Sequence, residues 1–353
     1  MQQILIKKQI IDGFLLNFLK NEEVKFQKQE LASEAFAKIK DFVIGGKTIR
    51  GGLFLAVCEA LNPNKFADCQ EDFLQVATAL ELIHSGLLIH DDIIDQDEKR
   101  RGKSSVWHQY EEFASNKNYK DPKNYGQSLA ICVGNIAFYL ANQSLEQMSS
   151  LSNELCKKIK QIINQEIIKT NFAEMLDSKI TLNKETPSLE SVKEMYLFKT
   201  ARYTFSLPLY LAGVSNELSE YQIEKLIQFG EKLGLIFQIK DDEMSLFASE
   251  AVSGKSFASD IREGKKTIFY LYLINKINDE QKDFLLKNYG NKKINKNEIE
   301  QIQELFYKYS LPKIKILISQ FENEAKEIIQ QTNLPNITKL LEDMLAFNIN
   351  RSN

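Results

Sequence analysis

Two pairs of adjacent aspartates stand out, Asp91-Asp92 in LLIHDDIID and Asp241-Asp242 in FQIKDDEMSLF, each at the end of an apolar run. Asp95 completes the first cluster four residues after Asp91. On a helix, Asp91 and Asp95 lie one above the other, with Asp92 turned about 100° away. Carboxylates this close repel unless they are protonated or bridged by a cation. Mg²⁺ favours a couple of carboxylates together with phosphate oxygens and water. The chemistry implied is a diphosphate held through metal ions.

An acidic run is more often a solvated helix face. Here Leu87, Leu88 and Ile89 precede the first pair, so it emerges from a core helix. Arg100 and Arg101 follow closely, and planar guanidinium groups suit a polyanion. The three histidines, His84, His90 and His108, fall in the same neighbourhood. Further cations lie on separate segments: Lys47 and Arg50 in GGKTIR, Lys199 with Thr200 at the start of KTARYTF, and Lys255, Lys265 and Lys266 in GKSFASDIREGKKT, which also holds Asp260. A fold that gathers these segments makes a deep pocket with metal ions on both walls and cations at the rim.

The elements that must do the gathering read as helices. Phe73, Val76, Ala77, Leu80, Ile83 and His84 form one stripe at helical spacing, and Leu226, Phe229, Gly230, Leu233, Ile236 and Phe237 form another. No strand-like alternation is sustained. Thr186-Pro187 predicts a helix start, and Asn333–Asn336 a break before an amphipathic tail at 337–347. Polar breaks at 115–124 and 288–297 read as loops within one domain, not linkers. The expectation is a single all-α domain over 1–353.

Composition narrows the partners. Of 353 residues, 43% are hydrophobic and 26% charged, which suits a globular protein with a sizeable core. The net charge of −3 gives no basic excess for a nucleic acid. Six prolines leave long helices unbroken. Cys58, Cys69, Cys132 and Cys156 form no CxxC pair or metal spacing, and read as apolar fillers in a reducing compartment. The first residues lack a signal-peptide arrangement. The apolar stretch 129–141 is broken by Gly134 and Asn135 and is too short to span a bilayer. A cytoplasmic protein without a transmembrane segment is expected.

In combination, GGKxxR, ELIHxxxLIHDDxxD followed by RRG, KTA, and FQxxDD followed by GK and DxxxGKKT resemble the trans-isoprenyl diphosphate synthases, or polyprenyl synthetases, of geranylgeranyl or medium-to-long-chain type. The resemblance runs from about Gly45 to Thr267. It implies one bundle of long helices around a central cavity, usually a homodimer, and a Mg²⁺-dependent prenyltransferase that joins isopentenyl diphosphate to an allylic diphosphate. By the same resemblance, Asp91, Asp95 and Asp241 ligate Mg²⁺, with Asp92 and Asp242 in support and Asp260 in an outer shell. Lys47, Arg50, His84 and Arg101 match positions that hold isopentenyl diphosphate. Arg100, Lys199, Thr200, Gln238, Lys255 and Lys265 match those that hold the allylic diphosphate. The chemistry agrees: ionising an allylic diphosphate needs fixed positive charge at the leaving group and exclusion of water. No protein nucleophile is required.

The chain departs from that pattern at named positions. Ser245 stands where many members carry a last aspartate, Glu174 replaces a glutamine, Ala173 a glycine, Asn135 an aspartate and Gly51 a proline. An added carboxylate at 174 is unfavourable beside diphosphates unless it pairs with a lysine. Leu87, Gly86 and Ile83, four, five and eight positions before Asp91, read as successive floors of the tunnel for the growing tail. With no side chain at Gly86, a product of C20 or longer is expected. Two other readings stand beside elongation. A class I terpene cyclase would take one diphosphate, against which Lys47, Arg50 and the Arg100-Arg101 pair argue. A non-catalytic subunit would explain Glu174, Asn135 and Ser245.

Overall fold

The computed structural model describes residues 2–247 and 258–351, and Lys255 lies outside them. The described residues are helical apart from turns and one two-residue hairpin. They divide into two compact units, 1–161 with 214–217, and 162–213 with 218–353.

The first unit holds α1 (Gln2–Lys25), α2 (Ala32–Ile44), α3 (Ile49–Leu61), α4 (Pro63–Asp68), α5 (Gln70–Ile94), α6 (Val106–Asn116), α7 (Pro122–Glu146) and the start of α8 (Asn153–Leu182). Helix α5 packs against α3 and α7, and α6 lies on α7. Phe73, Val76, Ala77 and Leu80 are fully buried, so the predicted stripe is the inner face of α5. Helix α5 is also the one described helix long and apolar enough to cross a membrane, and most of its apolar stretch is buried. That property belongs to α5, not to the 129–141 stretch within α7. Its first turn carries Asp72, fully buried, which accepts hydrogen bonds from the backbone N–H groups of Ser149, Ser150 and Leu151 at 2.9, 2.9 and 2.8 Å. Asp121 caps α7 by accepting from Asn124 N at 3.1 Å, with Pro122 at the first helical position, so the break expected at 115–124 is a helix start with its own chemistry.

The second unit continues α8 and holds α9 (Leu189–Tyr196), a π-helical stretch (Leu197–Ser206), α10 (Leu207–Ser215), α11 (Glu220–Phe247), α12 (Ser259–Glu263), α13 (Ile268–Ile274), α14 (Asp279–Asn288), α15 (Lys296–Leu305), a second π-helical stretch (Phe306–Ser310), α16 (Leu311–Gln331) and α17 (Pro335–Ile349). Helix α9 begins later than Thr186-Pro187 suggests. Ser188 is its cap, accepting from Ser191 N at 3.0 Å, because Ser188 adopts the extended conformation that a cap needs. Pro335 restarts the chain as predicted. Helix α11 packs against the first π-helical stretch, α16 and α17. Its Gly230 is what lets the π-helical backbone lie so close, since a Cβ there would meet the Ser206 backbone at 2.6 Å.

Candidate active site

The first carboxylate cluster ends α5. Asp95 is the residue just past the helix, and its N–H donates to the Asp91 carbonyl at 2.8 Å, so the four-residue spacing survives the helix end. Asp91 keeps 18% of its side chain exposed, whereas Asp92 is buried. Arg100 reaches back to both: its Nε donates to Asp92 Oδ1 at 2.6 Å and its Nη2 to Asp91 Oδ2 at 3.2 Å. Burial pushes the Asp92 carboxyl up to about 7, against the pull of Arg100. The buried Asp92 Oδ2 has no hydrogen-bond partner among the described residues.

The arginine is aimed by a hairpin. Strand β1 (Lys99–Arg100) pairs with β2 (Lys103–Ser104), with Arg100 opposite Lys103. The two-residue turn is Arg101-Gly102, at φ 54° and 74°. Positive φ at both central positions is the signature of a type I′ turn, which matches strand twist and is why a glycine follows the arginine pair. Arg101 is thereby thrown toward α2, donating to the Phe42 carbonyl at 2.9 Å and lying 5.2 Å from the Phe42 ring centre. A Cβ at Gly45 would sit 3.2 Å from its guanidinium, so the GGK segment makes room for this cation.

His84 lies two turns before Asp91 on the same helix. Burial, then the charges of Arg50, Arg101 and Arg100, hold its pKa well below 6.5, so the ring is neutral. Glu81, also buried, accepts from Gly51 N at 2.8 Å. Burial raises its pKa, and Arg50 opposes that rise. Arg50, His84 and Arg101 thus belong to one neighbourhood in the first unit, and the exposed Lys47 follows Gly46, which faces Arg101.

In the second unit, Asp241 and Asp242 lie near the end of α11. Asp241 is 35% exposed and Asp242 is buried, the same division as in the first pair. Among the described residues, Asp242 is held by neutral donors. Tyr196 donates its hydroxyl to Asp242 Oδ2, and Gln238 Nε2 donates to Oδ1 at 2.8 Å. Gln238 Oε1 in turn accepts from Thr200 Oγ1 at 2.7 Å, and the Tyr196 oxygen accepts from Ile268 N at 3.1 Å. Burial first, and then the charge of Asp260, raise the Asp242 carboxyl far above the ordinary carboxylate range. This network fixes Thr200 and Gln238, two residues chosen from sequence, against the carboxylate pair. Tyr196 was not anticipated, because its only sequence signal is a position three residues before Lys199.

Lys199 lies in the π-helical stretch, an uncommon conformation that recurs at functional sites. Its Nζ pairs with Asp177 Oδ2 at 2.5 Å and Glu174 Oε1 at 3.0 Å, both on α8. Lys265 pairs with Glu263 at 3.1 Å. Its neighbour Lys266 instead donates to the carbonyls of Ile180, Asn183 and Glu185 around the end of α8, so the two lysines of GKKT have different surroundings. Arg351 is a second residue the sequence did not reveal. It lies 3.4 Å from Asp241 Oδ1, with its guanidinium 4.2 Å from the Phe237 ring centre.

Among the described residues no three carboxylate, imidazole or thiol groups form a ready-made metal cage. Asp91 with Asp95, and Asp241, are accessible acidic donors of the hard-oxygen kind that Mg²⁺ accepts alongside substrate oxygens and water.

Residues 33–306 match the family model of polyprenyl synthetase. The chain belongs to the polyprenyl synthetase family. A geranylgeranyl diphosphate synthase from Saccharolobus solfataricus is 28% identical over 329 residues, covering 92% of each chain. Another, from Sulfolobus acidocaldarius, is 30% identical over 318 residues and 88% of each chain. The crystal structure of a geranylgeranyl pyrophosphate synthase from Corynebacterium glutamicum, complexed with isoprenyl diphosphate and magnesium, is 27% identical with a TM-score of 0.90, covering 98% of this chain and 99% of that one. The protein therefore has the all-α isoprenoid synthase fold and is a trans-prenyltransferase.

The departures from the polyprenyl synthetase pattern now have physical contexts. Gly51, in place of proline, supplies the N–H that Glu81 accepts, a donor proline lacks. Glu174 does pair with a lysine, Lys199. Ser245 is buried on α11, and Asn135 is exposed on α7. Gly86 differs from expectation. A Cβ there would meet Phe138 Cε1 at 2.8 Å and the Gly134 carbonyl at 2.9 Å, so the glycine allows α7 to approach α5. The space it leaves is filled by an aromatic ring from another helix, which no pattern within α5 could disclose.

Proposed function

We propose that this polyprenyl synthetase condenses isopentenyl diphosphate with an allylic diphosphate, giving a trans-polyprenyl diphosphate of C20 or longer. The observation that carries this reading is the repeated arrangement of one accessible and one buried aspartate at a helix end, with cations drawn from the segments the family motifs name. Asp91, Asp95 and Asp241 would hold Mg²⁺, which supplies positive charge to the departing diphosphate. Arg100, Lys199, Thr200, Gln238 and Lys265, with Lys255, seat the allylic diphosphate. Lys47, Arg50, His84 and Arg101 seat isopentenyl diphosphate, and the neutral His84 adds a hydrogen-bonding group without a further charge. Asp92 and Asp242 position their neighbours. The apolar body of α5 before Asp91 keeps water from the allylic cation.

In this reading residues 1–353 act as one catalytic domain, in the cytoplasm, as a homodimer. An apolar surface on α7 that exposes Ile131 and Tyr139 supports the pairing. Geranylgeranyl synthases among the relatives support C20, whereas Gly86 no longer does. Incubating the purified chain with Mg²⁺, isopentenyl diphosphate and farnesyl diphosphate, then sizing the products, tests the proposal. Products of C20 or longer are expected; no consumption of isopentenyl diphosphate rejects it.

A further inference from the structure

Lys199 is placed on the allylic diphosphate by the proposed function, yet its ammonium is held between two carboxylates of α8. Asp177 and Glu174 are three residues apart, so one helix face presents both to it. Lys199 keeps 25% of its side chain exposed and the two acids 21% each, so a ligand and solvent can reach the cluster. The contact to Asp177 is the shorter, 2.5 Å against 3.0 Å.

We propose that Glu174 sets the affinity for the allylic diphosphate by competing with it for Lys199. The inference rests on the proposed function and adds a residue to it. An ammonium is a compact charge with rotatable donors, and it can turn from one acceptor to another without moving its backbone. Asp177 holds the lysine in place. Glu174 makes the longer contact, and a diphosphate reaching Lys199 must displace it. Displacement weakens binding through the lost ion pair. A glutamine at this position would still offer Lys199 a carbonyl oxygen, but without the negative charge. Glu174 acts through Lys199 and is a positioning residue.

The test is Glu174→Gln in the full chain. The allylic KM should fall about three- to fivefold, the size of one partly exposed charge contact, while kcat and the KM for isopentenyl diphosphate stay within about twofold. Calorimetric binding of an unreactive allylic thiodiphosphate should tighten by the same factor. Glu174→Asp should keep the parent affinity, and in a Lys199→Ala background Glu174→Gln should have no effect. An unchanged or weakened affinity in the Glu174→Gln protein, folded by circular dichroism, overturns the inference. So does a tightening that persists without Lys199. A parent chain that binds the thiodiphosphate yet turns nothing over would reject the proposed function instead, and the calorimetric comparison would still decide this one.

Discussion

The two aspartate pairs hold the same kind of buried carboxylate by different means. In the first unit, Asp92 is balanced by a guanidinium, delivered from a type I′ hairpin eight residues on. In the second, Asp242 has a tyrosine hydroxyl and a glutamine amide as donors, with Asp260 adding negative charge nearby. A charged partner holds the carboxylate ionised more strongly, and Asp92 rises only to about 7 while Asp242 is pushed well above its ordinary range. Similar sequence signals, DD after an apolar run, thus give unlike electrostatics, because the neighbours come from other segments. The accessible partners, Asp91 and Asp241, differ correspondingly: one meets Arg100 from a neighbouring hairpin, the other Arg351 from near the chain's end.

The largest effect should come from the accessible members. Asp91→Ala and Asp241→Ala should each lower kcat by about 10²–10³-fold, the usual loss for one strong electrostatic group. Steady-state turnover measures it, and a small loss at one alone would show that the two pairs are unequal in the reaction. Next comes the guanidinium that holds the buried Asp92. Arg100→Ala strands Asp92 in a buried place and should destabilise the fold by about 3 kcal/mol, read from urea unfolding. Tyr196→Phe, which removes a neutral donor from Asp242, should lose about 1–2 kcal/mol in the same assay. The reverse order would break the comparison.

The last effect is confined to a pH window and concerns His84 among its cations. Its folded pKa lies below 6.5, so the unfolded chain takes up a proton that the native protein does not. The stability this gives is fully present above pH 6.5 and is lost as pH falls toward the folded value, at up to about 1.4 kcal/mol per pH unit. His84→Gln should flatten that slope in stability measured between pH 5 and 7, a window of about two units. An unaltered slope would show that another group titrates there.

Much of the fold was legible because helices announce themselves locally. The stripe from Phe73 to His84 became the buried face of α5, and Pro122 and Pro335 begin helices at the two clearest breaks. Thr186-Pro187 misled, since Ser188, one residue further on, offers the same capping oxygen and has the right backbone angles. Gly86 misled for a different reason: its spacing from Asp91 is a property of one helix, but what fills the space beside it is Phe138 of another.

By itself the sequence determined the helical class, the aspartate pairs, the cationic segments and the family, because each is a matter of residue type and short-range spacing. Only the tertiary structure decided which aspartate of each pair is buried, that Tyr196 and Gln238 hold Asp242, that Gly51 serves Glu81, and that Lys199 is shared between Asp177 and Glu174. These are contacts between residues distant along the chain or turned toward one another by packing. Their energies depend on burial and orientation, and neither quantity is written in the order of the residues.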